Sequence, residues 1–213
     1  MSYSPPSLPV IWMPSYTGRP IDLVNPIAQE VDFAEIAHAL SLENRFGGNT
    51  QKPISVALHT LIGCALAPDN LVALFALHDA AEARLGDRLQ PEKSATYQVA
   101  CEMFGTDAAD MIERVRKELE SRHDRAIHQA AGLEIPTPEQ KAALRRIDLM
   151  VLAIEKRDFH VPQQLPWMID AIPDIQPSCP PFTWMPPEEA EAELLALFKR
   201  HLPALNGKMM LAA

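Results

Sequence analysis

From about residue 30 to residue 160, apolar positions recur every three or four residues, the period of helices packed on one side. Ile36 and Leu40 share a face of a helix predicted over 33–42, which Asp32 can cap. Pro53 opens a second helix running to Ala67, and Pro68 closes it. Asp69 starts a third over Asn70–Ala83, apolar on nearly every side and so expected at the centre, with Gly86 near its end. A shorter helix over 93–104 and a long charged one over 107–131, ending at Gly132, come next. Thr137 or Pro138 begins another, to Phe159, with Leu144, Ile147, Val151 and Ile154 on one side. Glu188–Leu202 is a final amphipathic helix. Strand signals are weak, and the pattern predicts an all-α fold.

Proline placement divides this pattern. Of 20 prolines, six fall in residues 1–26 and eight in 162–187, so both stretches are expected to be irregular. With 213 residues, the chain is expected to form one domain: a core over about 27–160, a proline-rich extension over 161–187 and the helix 188–202. The net charge of -9 argues against a nucleic-acid scaffold but leaves room for a small nucleotide held in a local positive pocket. Cys64, Cys101 and Cys179 lie far apart and form no CxxC pair, as expected for free thiols in a reducing compartment. The start, Met1-Ser2-Tyr3-Ser4-Pro5-Pro6, lacks the features of a secretion signal, and no apolar run reaches membrane-spanning length. The expectation is a cytoplasmic protein with no membrane and no nucleic-acid partner.

Candidate chemistry appears where polar residues interrupt apolar runs. Leu71–Leu77 is wholly apolar, then His78, Asp79 and Glu82 follow within five positions. Buried without partners, each would cost several kcal/mol by rough estimate, so each needs a partner, a metal or water. On a continuous helix, His78 and Glu82 would share a face about 6 Å apart, and Asp79 would point about 100° away from His78. His59 interrupts Ile54–Gly63 in the same way, and Asp148 interrupts Leu144–Leu152. Two imidazoles and two carboxylates from adjoining helices suit a first-row divalent ion with open positions for water and phosphate oxygen. Read singly, His59 is a hydrogen-bonded core residue and Asp148 an ion-pair partner of Arg145 or Arg146. A second His-Asp dipeptide, His123-Asp124, lies in a charged stretch and reads as a solvated face.

The order His59, His78-Asp79, Asp148 resembles the H…HD…D signature of the HD-domain phosphohydrolase superfamily. The run from His78-Asp79-Ala80-Ala81-Glu82 through Gly86-Asp87 to Pro91 and Lys93 resembles that of bacterial 5′-deoxynucleotidases. Asp32–Ser41, Arg45-Phe46-Gly47-Gly48 and Arg157-Asp158 are similar to parts of phage-type dATP triphosphohydrolases, and the resemblance covers roughly 15–160. It implies an HD-domain helical bundle with His59, His78, Asp79 and Asp148 as ligands of a divalent cation (Mn, Co, Zn, Mg, Ni or Fe). Glu82 would activate the attacking water, Asp87 would assist at the leaving oxygen or the sugar, and Arg45 and Lys93 would meet the phosphate. Asn49 stands where many relatives have His, which bears on substrate choice; His38 is a further candidate at the edge of the site.

The implied reaction is hydrolysis of a deoxynucleoside mono- or triphosphate by a homo-oligomer. Alternatives are another HD enzyme acting on an alarmone or cyclic nucleotide, and a metal- or nucleotide-binding protein without catalysis. The aromatic residues Trp167, Phe182 and Trp184 of the late proline-rich stretch are expected to pack it against the domain.

Overall fold

The computed structural model describes residues 10–210 of the chain. The expected irregular stretch therefore enters the description at Val10; residues 1–9, with the segment read for a secretion signal, lie outside the described residues. The fold is all-α: nine helices among the described residues make 64% helix, with one small two-stranded hairpin. The helices are α1 (Phe33–Leu42), α2 (Val56–Leu66), α3 (Asp69–Ala76), α4 (Glu82–Leu85) and α5 (Gln90–Phe104). Then come α6 (Thr106–Ala131), α7 (Pro138–Phe159), α8 (Pro187–His201) and α9 (Pro203–Met210). The hairpin pairs β1 (Trp12–Pro14) with β2 (Pro20–Asp22) antiparallel, Met13 opposite Ile21.

The helix ends follow local chemistry. The Asp32 carboxylate accepts from the Ala34 N–H at 2.8 Å, and the Ser55 hydroxyl accepts from the Leu58 N–H at 3.1 Å. Thr137 and Gln140 form a reciprocal capping box at the start of α7. Gly132 stops α6 in the left-handed region, at φ 74, where a Cβ would be strained.

Helix α2 is buried nearly all round, with Val56, Ala57, Leu58, His59 and Ile62 inside. It packs against α1, α3, α7 and α8. Helix α8 is part of this core: Ala190, Leu194 and Phe198 are fully buried, and Phe198 meets Phe33 edge-on at 5.6 Å. The core therefore extends past residue 160, because α8 returns over α1 and α2. Between α7 and α8 the chain is irregular, as the prolines predict, and holds itself down by specific contacts. Ile169 and Ile175 bury against Ala153 of α7, and the Trp184 indole N–H donates to the Pro53 carbonyl at 2.7 Å.

One expected helix is two. The run 70–83 breaks after Ala76 into tight turns, and α4 restarts at Glu82. No glycine or proline causes the break. The Phe75 carbonyl, which the Asp79 N–H would meet in a continuous helix, instead faces the His78 N–H at 3.2 Å and the His78 Nδ1 at 2.7 Å. The bonds that follow, Ala80 N–H to Leu77 and Glu82 N–H to Asp79, also span three residues instead of four.

Candidate metal centre

Helix α2 presents His59 from the fully buried middle of the molecule, and α7 presents Asp148. The turns after α3 present His78 and Asp79 together. Their side chains would diverge by about 100° on a helix, yet here His78 Nε2 and Asp79 Oδ2 stand 3.0 Å apart. The expected helical spacing of this motif is thus corrected to a turn, and the turn is what lets neighbouring side chains converge.

His59, His78 and Asp148 form a group that could hold a metal ion, each offering one ligand atom, all within 4.8 Å of one another. His59 Nε2 lies 3.2 Å from His78 Nε2, 3.4 Å from Asp148 Oδ1 and 3.6 Å from Asp79 Oδ2. Ligand bonds of about 2.1 Å give neighbouring donors separations of about 3.0 Å at right angles and about 3.4 Å at the tetrahedral angle. Three of the spacings, 3.0 to 3.4 Å, fall in that range, and the His59–Asp79 spacing of 3.6 Å lies just beyond it.

The tautomers make the same point. A carbonyl only accepts, so His78 Nδ1, 2.7 Å from the Phe75 oxygen, carries a proton. His59 Nδ1, 3.0 Å from Glu155 Oε1, donates to a fully buried carboxylate. In their neutral forms both rings therefore turn a lone pair toward the same point, where two carboxylate oxygens also arrive. With both rings neutral, these four electron-pair donors suit a cation. The donor set of two imidazoles and one or two carboxylates fits a divalent ion, and the hydrogen bonds from the far ring nitrogens fix the rings' orientation. Phe75 completes the support by stacking on His78 with ring centroids 4.0 Å apart.

Glu155 was not singled out in the sequence, although it lies seven residues after Asp148 and hence on the same face of α7. Its carboxylate is shared between His59 and Arg45, whose Nη2 donates to Oε2 at 3.1 Å and whose Nε lies 2.9 Å from Oε1. Arg45 also reaches to 3.9 Å from Asp79 Oδ2. Burial and Arg45 press the His59 imidazole down, but Glu155 and Asp148 outweigh them and hold it at about 9. Burial raises the Asp148 carboxyl, while His59 more than offsets that and brings it to about 2. Asp79 is likewise held well below the usual carboxylate range, because His78, His59 and Arg45 surround it. Without a bound cation, a proton on His59 is therefore part of what balances Asp148 and Asp79.

Glu82, Asp87 and Lys93 share one electrostatic neighbourhood with Asp79 and Arg45. Glu82 Oε2 is buried without a hydrogen-bond partner. Burial, with Asp79 and Asp87 beside it, pushes the Glu82 carboxyl up to about 10; Arg45 and Lys93 act the other way. Burial raises Asp87 too, and its N–H donates to Glu43 Oε1 at 3.0 Å. Asn49 stitches its own loop: its amide donates to the Phe46 and Gly47 carbonyls at 3.0 and 3.3 Å. That loop holds Phe46 at φ 58, the left-handed conformation otherwise kept for glycine, next to Arg45. His38 is drawn elsewhere. It pairs with Glu191 at 3.0 Å and stacks on Tyr16, lining a small cavity with Arg84 and Glu35 that none of the four convergent residues borders.

The second His-Asp dipeptide differs from its expected solvated face. His123 is fully buried and its Nε2 donates to the Leu23 carbonyl at 3.0 Å, tying α6 to the segment after β2. Asp124 turns into a cleft of about 250 Å³ that His78 and Asp148 also border. The burial of His123 depends on a segment 100 positions away, so the local charge pattern did not reveal it.

The fold and site thus define an all-α protein with a buried His/His/Asp group able to hold a metal ion. No family model matches the chain. Over 156 residues it is 31% identical to an uncharacterized protein of Rhodobacter capsulatus, a match covering 68% of this chain and 70% of that protein. The chain belongs to the same family as that protein. Among the described residues, no helix is long and apolar enough to cross a membrane.

Proposed function

We propose that this protein is a metal-dependent phosphohydrolase of the HD-domain type, acting on deoxynucleoside mono- or triphosphates. The observation that carries the reading is the convergence of His59, His78, Asp79 and Asp148 on one point, with the unpartnered Glu82 carboxyl beside them. A divalent ion on those four residues would supply positive charge to a phosphoryl group and acidify a water. Glu82 takes that water's proton; burial beside Asp79 pushes its carboxyl up to about 10 without a cation, and the positive charge of a bound ion would bring it toward the ionised form that a general base needs. As the water oxygen bonds to the α-phosphorus, the bond to the sugar O5′ breaks, and O5′ keeps the electron pair and takes up a proton. The nucleoside leaves, with phosphate or triphosphate as the other product.

Arg45 and Glu155 hold the geometry together. Arg45 balances the buried Glu155 and leans toward Asp79, and Glu155 orients His59. Lys93, in the first turn of α5 near Glu82 and Asp87, meets the phosphate. Self-association is supported by α5, which packs mainly on α6 and buries only Ala100, leaving Val99, Met103, Met111 and Val115 exposed.

The test is a panel of nucleoside mono- and triphosphates with Mn²⁺, Co²⁺, Mg²⁺ or Zn²⁺, resolving phosphate from triphosphate. Turnover that requires one of these ions is expected. No turnover in any combination would overturn the reading.

A further inference from the structure

The cleft of about 250 Å³ beside the metal group has a different lining from the side on which Glu82 stands. Of the four convergent residues, His78 and Asp148 border it; Glu82, Asp87, Arg45 and Lys93 do not. Its walls are apolar at Leu74, Leu77, Leu144 and Ile135, and polar at Ser121, Asp124, His128 and Lys141. A space far above the roughly 10–15 Å³ needed for one water takes a small molecule, and apolar walls with a few hydrogen-bonding groups are the usual lining of an organic ligand site.

We infer that this cleft is the nucleoside subsite: it receives the uncharged sugar and base of the substrate, held by Asp124 and Ser121, while the phosphate lies at the metal group. The inference rests on the proposed hydrolysis and adds where each half of the substrate goes. Three observations carry it. First, in-line displacement puts the attacking and leaving oxygens on opposite sides of phosphorus. Glu82 serves the water, so O5′ and its nucleoside depart away from Glu82, and the cleft borders His78 and Asp148 without bordering Glu82. Second, the charges disfavour a polyphosphate there. Arg145 is already paired with Asp148 at 2.5 Å, which leaves Lys141 as the cation, and the Asp124 carboxyl faces the same space. Third, Asp124 is half-buried and has no salt bridge or hydrogen bond to another side chain among the described residues. Its oxygens are therefore free to accept from a ligand, and the Ser121 hydroxyl in the same lining can both donate and accept. A sugar hydroxyl or a base edge asks for both.

The experiment uses calorimetric titration of the four common 2′-deoxynucleosides, and separately of inorganic tripolyphosphate, into Mn²⁺-loaded protein. The wild type is compared with Asp124→Asn and with Ser121→Trp, which fills the cleft; Mn²⁺ binding by each variant shows that it is folded. At least one deoxynucleoside is expected to bind the wild type, roughly 10-fold more weakly to Asp124→Asn and not measurably to Ser121→Trp, with tripolyphosphate affinity unchanged. Wild type that binds no deoxynucleoside at millimolar concentration, or variants that weaken tripolyphosphate instead, would overturn the subsite. Failure of the hydrolysis reading shows separately, as absent turnover in the metal panel, and the binding result still decides what the cleft holds.

Discussion

Glu82 has the most conflicted surroundings in the molecule. It is buried beside two other carboxylates, and its Oε2 has no hydrogen-bond partner. Without a cation the folded protein therefore holds the Glu82 proton far more tightly than the unfolded chain does. A carboxyl with a raised folded pKa contributes stability that is complete below its unfolded value, near 4.3, and disappears as pH rises through the folded value, about 10. Metal-free protein should lose stability between those limits. Glu82→Gln should reduce that loss, raising the stability of metal-free protein at pH 8 by on the order of 1 kcal/mol. The same change should lower kcat at least 100-fold, since proton transfer of this kind contributes roughly 10²–10⁴. Thermal melts of both proteins from pH 5 to 9 and turnover at one pH check the two halves. A variant as active as wild type would remove Glu82 from the chemistry. Residues of this kind were legible in the sequence because a charge inside an apolar run stands out. Glu155 was not: it heads the run Glu155-Lys156-Arg157-Asp158, which reads as surface, and only its place one helical face from Asp148 marks it. Its worth lies in its partners, His59 and Arg45, which are 96 and 110 positions away.

At the scale of elements, the centre depends on how closely α2 and α3 approach. Gly63 permits this. A Cβ at that position would fall inside the Phe75 ring, and Phe75 is itself fully buried, with no room to swing away. Phe75 in turn stacks on His78 and accepts its Nδ1 proton through its carbonyl. Gly63→Ala should therefore push Phe75 and His78 together, destabilising the fold by about 1–3 kcal/mol. Divalent-ion affinity should fall roughly 10-fold or more, as when ligand-supporting contacts are disturbed. Denaturant melts and metal titration of the variant measure both effects, and unchanged metal affinity would detach Phe75 from the site. Helix α1, α6 and α7 lie where their caps and periodicity put them, because Asp32, Thr137, Pro138 and Gly132 act locally. The break at Leu77–Ala81 was not legible. It arises when one histidine side chain takes a main-chain carbonyl, and no turn-forming residue announces it.

The fold brings together residues from α2, the turn after α3 and α7 around one point, with α8 packed on α1, α2 and α3. What periodicity could not show was which helix packs on which. Helix α8 reads as merely amphipathic, and only the folded chain places Leu194 and Phe198 in the same core as α2. The four convergent residues stood out as a set because four polar groups interrupting three apolar stretches have few structural uses. The stretch α5 to early α6 is largely exposed, and Lys93 on α5 links it to the centre. Direct titration of divalent metal into metal-free protein tests the central claim. One ion per chain is expected for the wild type, with binding lost in His78→Ala and in Asp148→Ala while both remain helical by circular dichroism. Wild type that takes up no divalent ion, or variants that bind it unchanged, would contradict the account.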